Sequence, residues 1–318
     1  MEYRKINTNT LFHGDNLEIL KTSVPDASID LVYLDPPFGS NRNYRGQTKN
    51  GENRTAVFSD TWKWNGAAAS SVREIEAASP GLGRLLEAVI RSAGTAPLTA
   101  YLVMMAPRLL EIHRVLKDTG SVYLHCDPTS SHYLKIVMDA VFGLRNFRNE
   151  IVWTYKGGGR SKTAFARKHD IILFYSKSGT WTFNSRDVMV GRTNRTWFTD
   201  EEGKRYWLKY GKRYYLKHEG KVPEDWWADI GPLHGPYTER LGYPTQKPLA
   251  LLERILRAGS DEGGTVLDPF CGSGTTLVAA QSLNRRWLGI DSSADAVEMA
   301  AQRLRSSFPG LSFTTVLG

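Results

Sequence analysis

Gly264-Thr265-Val266-Leu267-Asp268-Pro269-Phe270-Cys271-Gly272-Ser273-Gly274-Thr275-Thr276 decides the fold of this 318-residue chain. Thr265–Leu267 reads as a strand that ends on an acid and a proline. Gly272 and Gly274 permit a tight turn and close ligand approach before a helix over Leu277–Leu283. The start of that helix is a place for an anion. A second strand, Arg286–Asp291, again ends in an acid, at about the distance where an acid grips ribose hydroxyls. Only two of the three dinucleotide-fingerprint glycines are present, so a plain nicotinamide site fits poorly. Strand, turn, helix, strand and acid in this order indicate an α/β fold. Its sheet is mostly parallel, covered on both faces, with ligands at the C-terminal strand ends.

A second strand-to-turn unit lies far upstream, in Ser28-Ile29-Asp30-Leu31-Val32-Tyr33-Leu34-Asp35-Pro36-Pro37-Phe38. Two prolines stiffen the turn and hold Asp35 and Phe38 in a fixed relation. A carboxylate, the Pro36 carbonyl and a ring suit a flat heterocycle that carries an amine. An ordinary Pro-rich turn would explain the four residues alone equally well.

The two strings together resemble the amino-group DNA methyltransferases that use S-adenosyl-L-methionine. Asp35-Pro36-Pro37-Phe38 resembles that family's catalytic motif, and Phe270-Cys271-Gly272-Ser273-Gly274-Thr275 its cofactor motif. The catalytic motif comes first, as in the permuted beta group. His13–Asn16, Gly120–Asp127 and Tyr243–Pro248 resemble further family motifs in order. The resemblance implies a Rossmann-like S-adenosylmethionine-dependent methyltransferase fold. It has a mostly parallel seven-stranded sheet with an edge hairpin and a small β-rich target-recognition module. It implies catalysis by Asp35, Pro36, Pro37 and Phe38, with Phe38 stacking on a flipped base. It places Asp15, Asp35, Lys247, Asp268, Phe270, Cys271, Gly272, Ser273, Gly274, Thr275 and Asp291 around the cofactor. Asp291 would take the ribose and Lys247 the methionine carboxylate. Asp15 would take the adenine amine or simply cap the helix after it. Aspartate at position 35 resembles the adenine-modifying members; N4-cytosine transfer is the alternative, and RNA or protein methylation a more distant one. Cytosine ring-carbon methylation needs a Pro-Cys nucleophile, which neither Cys126 nor Cys271 provides.

Three zones follow. Residues 1–178 are the catalytic half, with an insertion at 39–96; residues 179–240 are the target-recognition module; residues 241–318 are the cofactor half. Expected helices lie at Leu98–Lys117, Ser131–Phe142 and, broken at Pro80-Gly81, Ala67–Ala93. Glu150–Tyr155 and Asp170–Ser176 read as a strand pair at the sheet edge, joined by a basic Gly-rich loop. Gly39–Gly66 reads as a long polar loop that covers the target base or grips DNA. Thr245 is expected to cap a helix begun at Pro248.

The chain carries a formal charge of +8 and a pI near 9.4, which suits a polyanionic partner. Asn184–Lys221 holds ten Lys/Arg against five Asp/Glu, interleaved with aromatics. Its aromatics are expected to be mostly core. The candidate double-stranded-DNA contacts are Arg42, Arg45, Arg160, Lys162, Arg192, Arg195, Lys204, Arg205, Lys212 and Arg213. No metal-ligand spacing, signal segment or membrane-length apolar run is present, so a cytoplasmic, nucleoid-associated protein is expected. Family precedent adds a homodimer and a separate restriction endonuclease as partners.

Overall fold

The computed structural model describes residues 9–38, 61–157, 162–191, 196–216, 220–233 and 239–317, with the backbone of 43–47 and 53–59. In chain order the first elements are β1 (Thr10–His13), α1 (Asn16–Ser23), β2 (Ile29–Leu34), β3 (Asn43–Gln47) and β4 (Asn53–Ser59). Then come α2 (Gly66–Ala78), α3 (Pro80–Ala93), α4 (Pro97–Val115), β5 (Leu116–Cys126), α5 (Ser131–Phe142), β6 (Phe147–Thr154) and β7 (His169–Ser176). Six short strands follow: β8 (Val190–Gly191), β9 (Phe198–Thr199), β10 (Arg205–Lys209), β11 (Lys212–Tyr215), β12 (Gly220–Lys221) and β13 (Trp226–Trp227). The chain closes with α6 (Leu249–Gly259), β14 (Thr265–Asp268), α7 (Thr275–Ser282), β15 (Arg286–Asp291), α8 (Ala294–Ser307) and β16 (Thr314–Leu317).

The main sheet runs β13-β6-β7-β5-β2-β14-β15-β1-β16. All its pairings are parallel except β6 with β7 and β7 with β5. Among the described residues it has nine strands, two more than the seven expected. The additions are β1 and the short edge strand β13, while β16 lies where a strand is expected at Ser312–Val316. The β6–β7 hairpin therefore does not form the edge: Trp226 and Trp227 pair with Val152 and Trp153 and cover it. β1, from the start of the chain, lies beyond β14 and β15, so the two halves interleave in one sheet.

Side chains alternate along the central strands and build a core on each face. Val32, Leu34, Val122 and Leu124 pack with α1, α2, α3, α4 and α5 on one side; Leu31, Tyr33, Tyr123 and Phe174 pack with α6, α7 and α8 on the other. Burial on both faces explains why these strands are near-continuously apolar. β1, β2, β14 and β15 run the same way, so Gly14, Asp35, Pro269 and Ser292 emerge together at one rim.

Three local expectations change. Residues 43–47 and 53–59 pair as antiparallel strands inside the segment read as a loop. Thr245 does not cap α6: Pro248 occupies that position, without a side-chain cap, and Thr245 lies at φ 63°. The β9–β10–β11 aromatics do not form a core. They make one ladder on each face, Phe198–Tyr206–Tyr215 and Trp197–Trp207–Tyr214, with centroids 5.6–5.7 Å apart. Phe198, Tyr214 and Tyr215 stay exposed, because a three-stranded sheet has too little area to be buried on both sides.

Candidate active site

A cavity of about 410 Å³ opens at the shared rim. Its lining includes Asp15, Asn16, Asp35, Pro36, Pro37, Phe38, Tyr243, Lys247, Asp268, Pro269, Phe270, Cys271, Gly272, Ser273, Thr275 and Asp291. The two strings that are more than 200 residues apart in sequence thus form one site. Its volume falls within the range of small-molecule pockets, roughly 300–1,000 Å³.

β2 delivers Asp35 to the cavity. Its Oδ2 accepts from Lys247 Nζ at 2.5 Å, while its Oδ1 is buried without a partner among the described residues. A buried carboxylate oxygen left this way is costly unless a donor completes it. Lys247, read from sequence as a cofactor ligand, is placed on Asp35, with Nζ 5.5 Å from the Phe38 ring centroid.

Phe38 is held from behind. Its ring lies 6.0 Å from that of His125 at 24°, and His125 meets Trp153 edge-on. Tyr33 Oη and His125 Nδ1 are hydrogen-bonded at 2.9 Å. Burial and then the Asp35 charge push the Tyr33 phenol up, so it keeps its proton. On the other side of the ring, His125 Nε2 donates to the Asp170 carboxylate, which can only accept, at 3.1 Å. Tyr155 donates to the other Asp170 oxygen at 3.2 Å. Burial raises Asp170, but the hydrogen bond from His125, the Lys247 charge and the Tyr155 bond together outweigh it and hold the carboxyl below its usual range.

The Gly-rich loop is built from its own hydrogen bonds. Asp268 accepts from the Phe270 N–H at 3.0 Å and from the Thr276 hydroxyl at 2.5 Å. Burial, helped by the charges of Asp35 and Asp291, pushes its pKa up to about 7. Asp291 accepts from Gly272 N at 2.8 Å and Ser293 N at 2.9 Å, and burial raises it as well. Gly272 and Gly274 have φ of 48° and 75°. A Cβ would sit 3.0 Å from the Tyr243 ring at Gly272 and 2.9 Å from Ala300 Cβ at Gly274. The loop therefore lies close between the Tyr243 segment and α8, as its glycines require. Arg303, buried, supports it from below by donating to Thr275 Oγ1 at 2.8 Å and Ser273 O at 3.3 Å.

Asp15 does cap α1: its Oδ1 accepts from Leu17 N and Glu18 N, and its Oδ2 accepts from Arg108 at 2.8 Å. Arg108 also donates to Asn16 Oδ1 at 2.6 Å, and Asn16 Nδ2 donates to the Pro269 carbonyl at 2.8 Å. Asn16 therefore ties the first turn of the chain to the Gly-rich loop. The sequence reading assigned no role to Asn16, Tyr33, Arg108, Tyr155, Asp170 or Arg303. Arg108 carried a signal: it is the one charged residue in the apolar run from Pro97 to Leu110 of α4.

Cys126 and Cys271 are buried, and burial pushes both thiols well up. Neither is suited to act as a thiolate nucleophile. Among the candidate DNA contacts, Lys162, Lys204, Arg205, Lys212 and Arg213 are exposed, and the last four lie on or beside the β9–β11 sheet. Lys204 meets Glu202, while Arg205 and Arg213 lie over Trp197 and Tyr206. Arg42, Arg160, Arg192 and Arg195 fall outside the described residues, and Arg45 lies in a strand described by its backbone alone.

A DNA methylase family model of the N6/N4 type matches residues 29–302. The chain belongs to this family of amino-group DNA methyltransferases. It is 28% identical over 311 residues to the type II methyltransferase M.HpaI of Haemophilus parainfluenzae, covering 98% of this chain and 76% of the relative. It is 27% identical over 297 residues to the DNA adenine methyltransferase YhdJ of Escherichia coli K12, covering 93% and 82%. In fold it is similar to the cytosine-N4-specific PvuII DNA methyltransferase, with TM-score 0.60, 16% identity and coverage of 96% and 89%. A Thermus thermophilus chain described as a DNA modification methylase, complexed with S-adenosyl-L-methionine, matches with TM-score 0.56, 20% identity and coverage of 98% and 99%. Among the described residues of this methyltransferase, no helix is long and apolar enough to cross a membrane, and no group of three His, Cys, Asp or Glu could hold a metal.

Proposed function

We propose that this chain transfers a methyl group from S-adenosylmethionine to the exocyclic amine of adenine at a specific site in duplex DNA. The observation that carries the reading is Asp35: one oxygen is held by Lys247 and the other is buried, without a partner among the described residues, in the same cavity as the Gly-rich loop. That oxygen can accept a hydrogen from the amine of a flipped base, with the Pro36 carbonyl taking a second. Both bonds draw the nitrogen toward tetrahedral geometry and stabilise the charge that develops on it. Phe38, fixed by His125, stacks on the base, and the rest is placement. The buried thiols leave no covalent route through cysteine.

The cavity fits the cofactor on the residues present: two glycines that keep the loop bare, the Asp291 carboxylate at the end of β15, and the start of α7. Bound there, the cofactor supplies an electrophilic methyl group. Asp291 would hold the ribose, and Phe270, Cys271, Gly272, Ser273, Gly274 and Thr275 would line the site, with Asp268 shaping the loop. Lys247 would reach the cofactor carboxylate only by leaving Asp35. Catalytic motif before cofactor motif is the order of the permuted beta group. Adenine is favoured by the aspartate at position 35 and by similarity to an adenine enzyme; cytosine N4 transfer is the second reading, supported by the fold neighbour. Residues 179–240 would read the site, between catalytic residues 1–178 and cofactor residues 241–318. The protein would act in the cytoplasm, as a homodimer and beside a separate endonuclease in the manner of type II systems.

The test is modification-sensitive long-read sequencing of plasmid DNA from a methyl-free host, with Asp35→Ala as control. Methylated adenine at one short motif, absent in the control, is the expected result. Methylated cytosine amine would replace the base assignment, and no mark from a folded protein would reject the function.

A further inference from the structure

Phe165 is fully solvent-exposed. A lone exposed apolar side chain is common on protein surfaces, so the exposure matters only through its setting. Phe165 lies in the connection between β6 and β7. From Lys156 to His169 that connection contains Lys156, Arg160, Lys162, Arg167 and Lys168, and no acid. Lys156, Lys162 and Arg167 are exposed like Phe165. A large bare ring with cations on both sides is poorly matched to water and well matched to a stack of bases flanked by phosphates.

The root of the connection is bound to the catalytic site. Tyr155 N donates to Lys168 O at 3.0 Å and closes it. Two residues on, Asp170 holds His125, and His125 lies against Phe38. Phe165 is three positions before Lys168, so its backbone is within roughly 11 Å of that root. The exposed ring therefore sits on a basic connection whose root is joined, through Asp170 and His125, to Phe38 of the pocket assigned to the flipped base.

Resting on the function proposed above, we propose that Phe165 is a wedge. It enters the duplex at the target step and fills the gap left by the extruded base, while Lys162 and Arg167 hold the phosphates on either side. Extrusion unstacks the base and leaves a hole in the duplex; an apolar ring in that hole recovers part of the lost stacking.

The test uses the full chain and two synthetic duplexes that carry the site found by sequencing. In one the target base is normally paired; in the other it faces an abasic position, so extrusion costs little. Phe165→Ala is expected to lower kcat/KM on the paired duplex by roughly tenfold to a hundredfold. On the abasic duplex it should stay within about threefold of wild type, and Phe165→Trp should restore the paired duplex. An equal loss on both duplexes would make Phe165 a general docking residue and overturn the wedge, as would no loss on either. Wild-type inactivity on both duplexes would reject the methyltransfer reading and the wedge with it. Because the ring is fully exposed, the variant should melt with the wild type.

Discussion

Replacing Asn16 by alanine tests whether one buried amide fastens the two ends of the site. Asn16 is 7% exposed, its Nδ2 donates to Pro269 O at 2.8 Å, and its Oδ1 accepts from Arg108 Nε at 2.6 Å. The first bond joins neutral groups and the second has a charged donor. Such bonds are worth about 1 kcal/mol and about 1.5–3 kcal/mol, so their joint loss should cost about 2.5–4 kcal/mol. A chain of this length unfolds with an entropy near 0.7 kcal/mol/K, which converts the loss to a Tm fall of roughly 4–6 °C. Thermal melts by circular dichroism read this directly. Because Pro269 opens the Gly-rich loop, affinity for S-adenosylhomocysteine, measured by calorimetry, should fall about tenfold as the loop loosens. A cycle of Asn16→Ala with Arg108→Met should show a coupling of about 1–2 kcal/mol. A Tm within about 1 °C of wild type, or zero coupling, would refute the claim that Asn16 joins the halves.

Two further outcomes follow from the buried groups. Asp268 titrates near 7 in the folded chain and near 4 when unfolded, so the folded state alone keeps the proton between these values; its contribution to stability is present below about pH 4 and is lost as pH rises towards 7. Asp268→Asn should flatten the decline of Tm over that window, and a slope identical to wild type would contradict the assignment. His125→Phe keeps a ring behind Phe38 but leaves Tyr33 and Asp170 without their partner. It should lower kcat about tenfold or more with cofactor affinity within about twofold, whereas an equal fall in both would mean general loosening of the fold.

The parallel core was legible because its strands are short apolar runs between turn signals, and Asp35, Asp268 and Asp291 stand where those runs stop. Helix limits were legible for the same reason: α5 spans Ser131–Phe142 as expected, and Pro80 starts α3 where a break was read. What stayed hidden depends on partners distant in sequence. Nothing local in Trp226-Trp227 says that they cover β6, since two residues carry no period. The aromatic ladders of β9–β11 were misread as core because alternation shows that two faces exist, not whether either is covered. Arg108, Asn16, His125 and Asp170 act through contacts between elements, which only the packed sheet brings together.

Charge is segregated in this chain in a way its net value conceals. The whole carries +8, yet the cavity is lined by Asp15, Asp35, Asp268 and Asp291 against Arg108 and Lys247. Arg108 is taken up by Asp15 and Lys247 by Asp35, so among the described residues no cation of the lining offsets Asp268 and Asp291. Burial raises both remaining acids, and a positive ligand beside them would favour their ionised forms and so bind more tightly. A phosphate entering the same space would meet uncompensated carboxylates in a low dielectric and be repelled. On the proposed function, cations on the outer loops would draw the DNA backbone to the surface. The acidic interior would admit what the backbone is not: a base amine, which donates hydrogens, and a cofactor that bears a positive sulfonium. The two signs would act at different depths, and this separation would let one basic protein hold a polyanion while presenting its base to an acidic pocket.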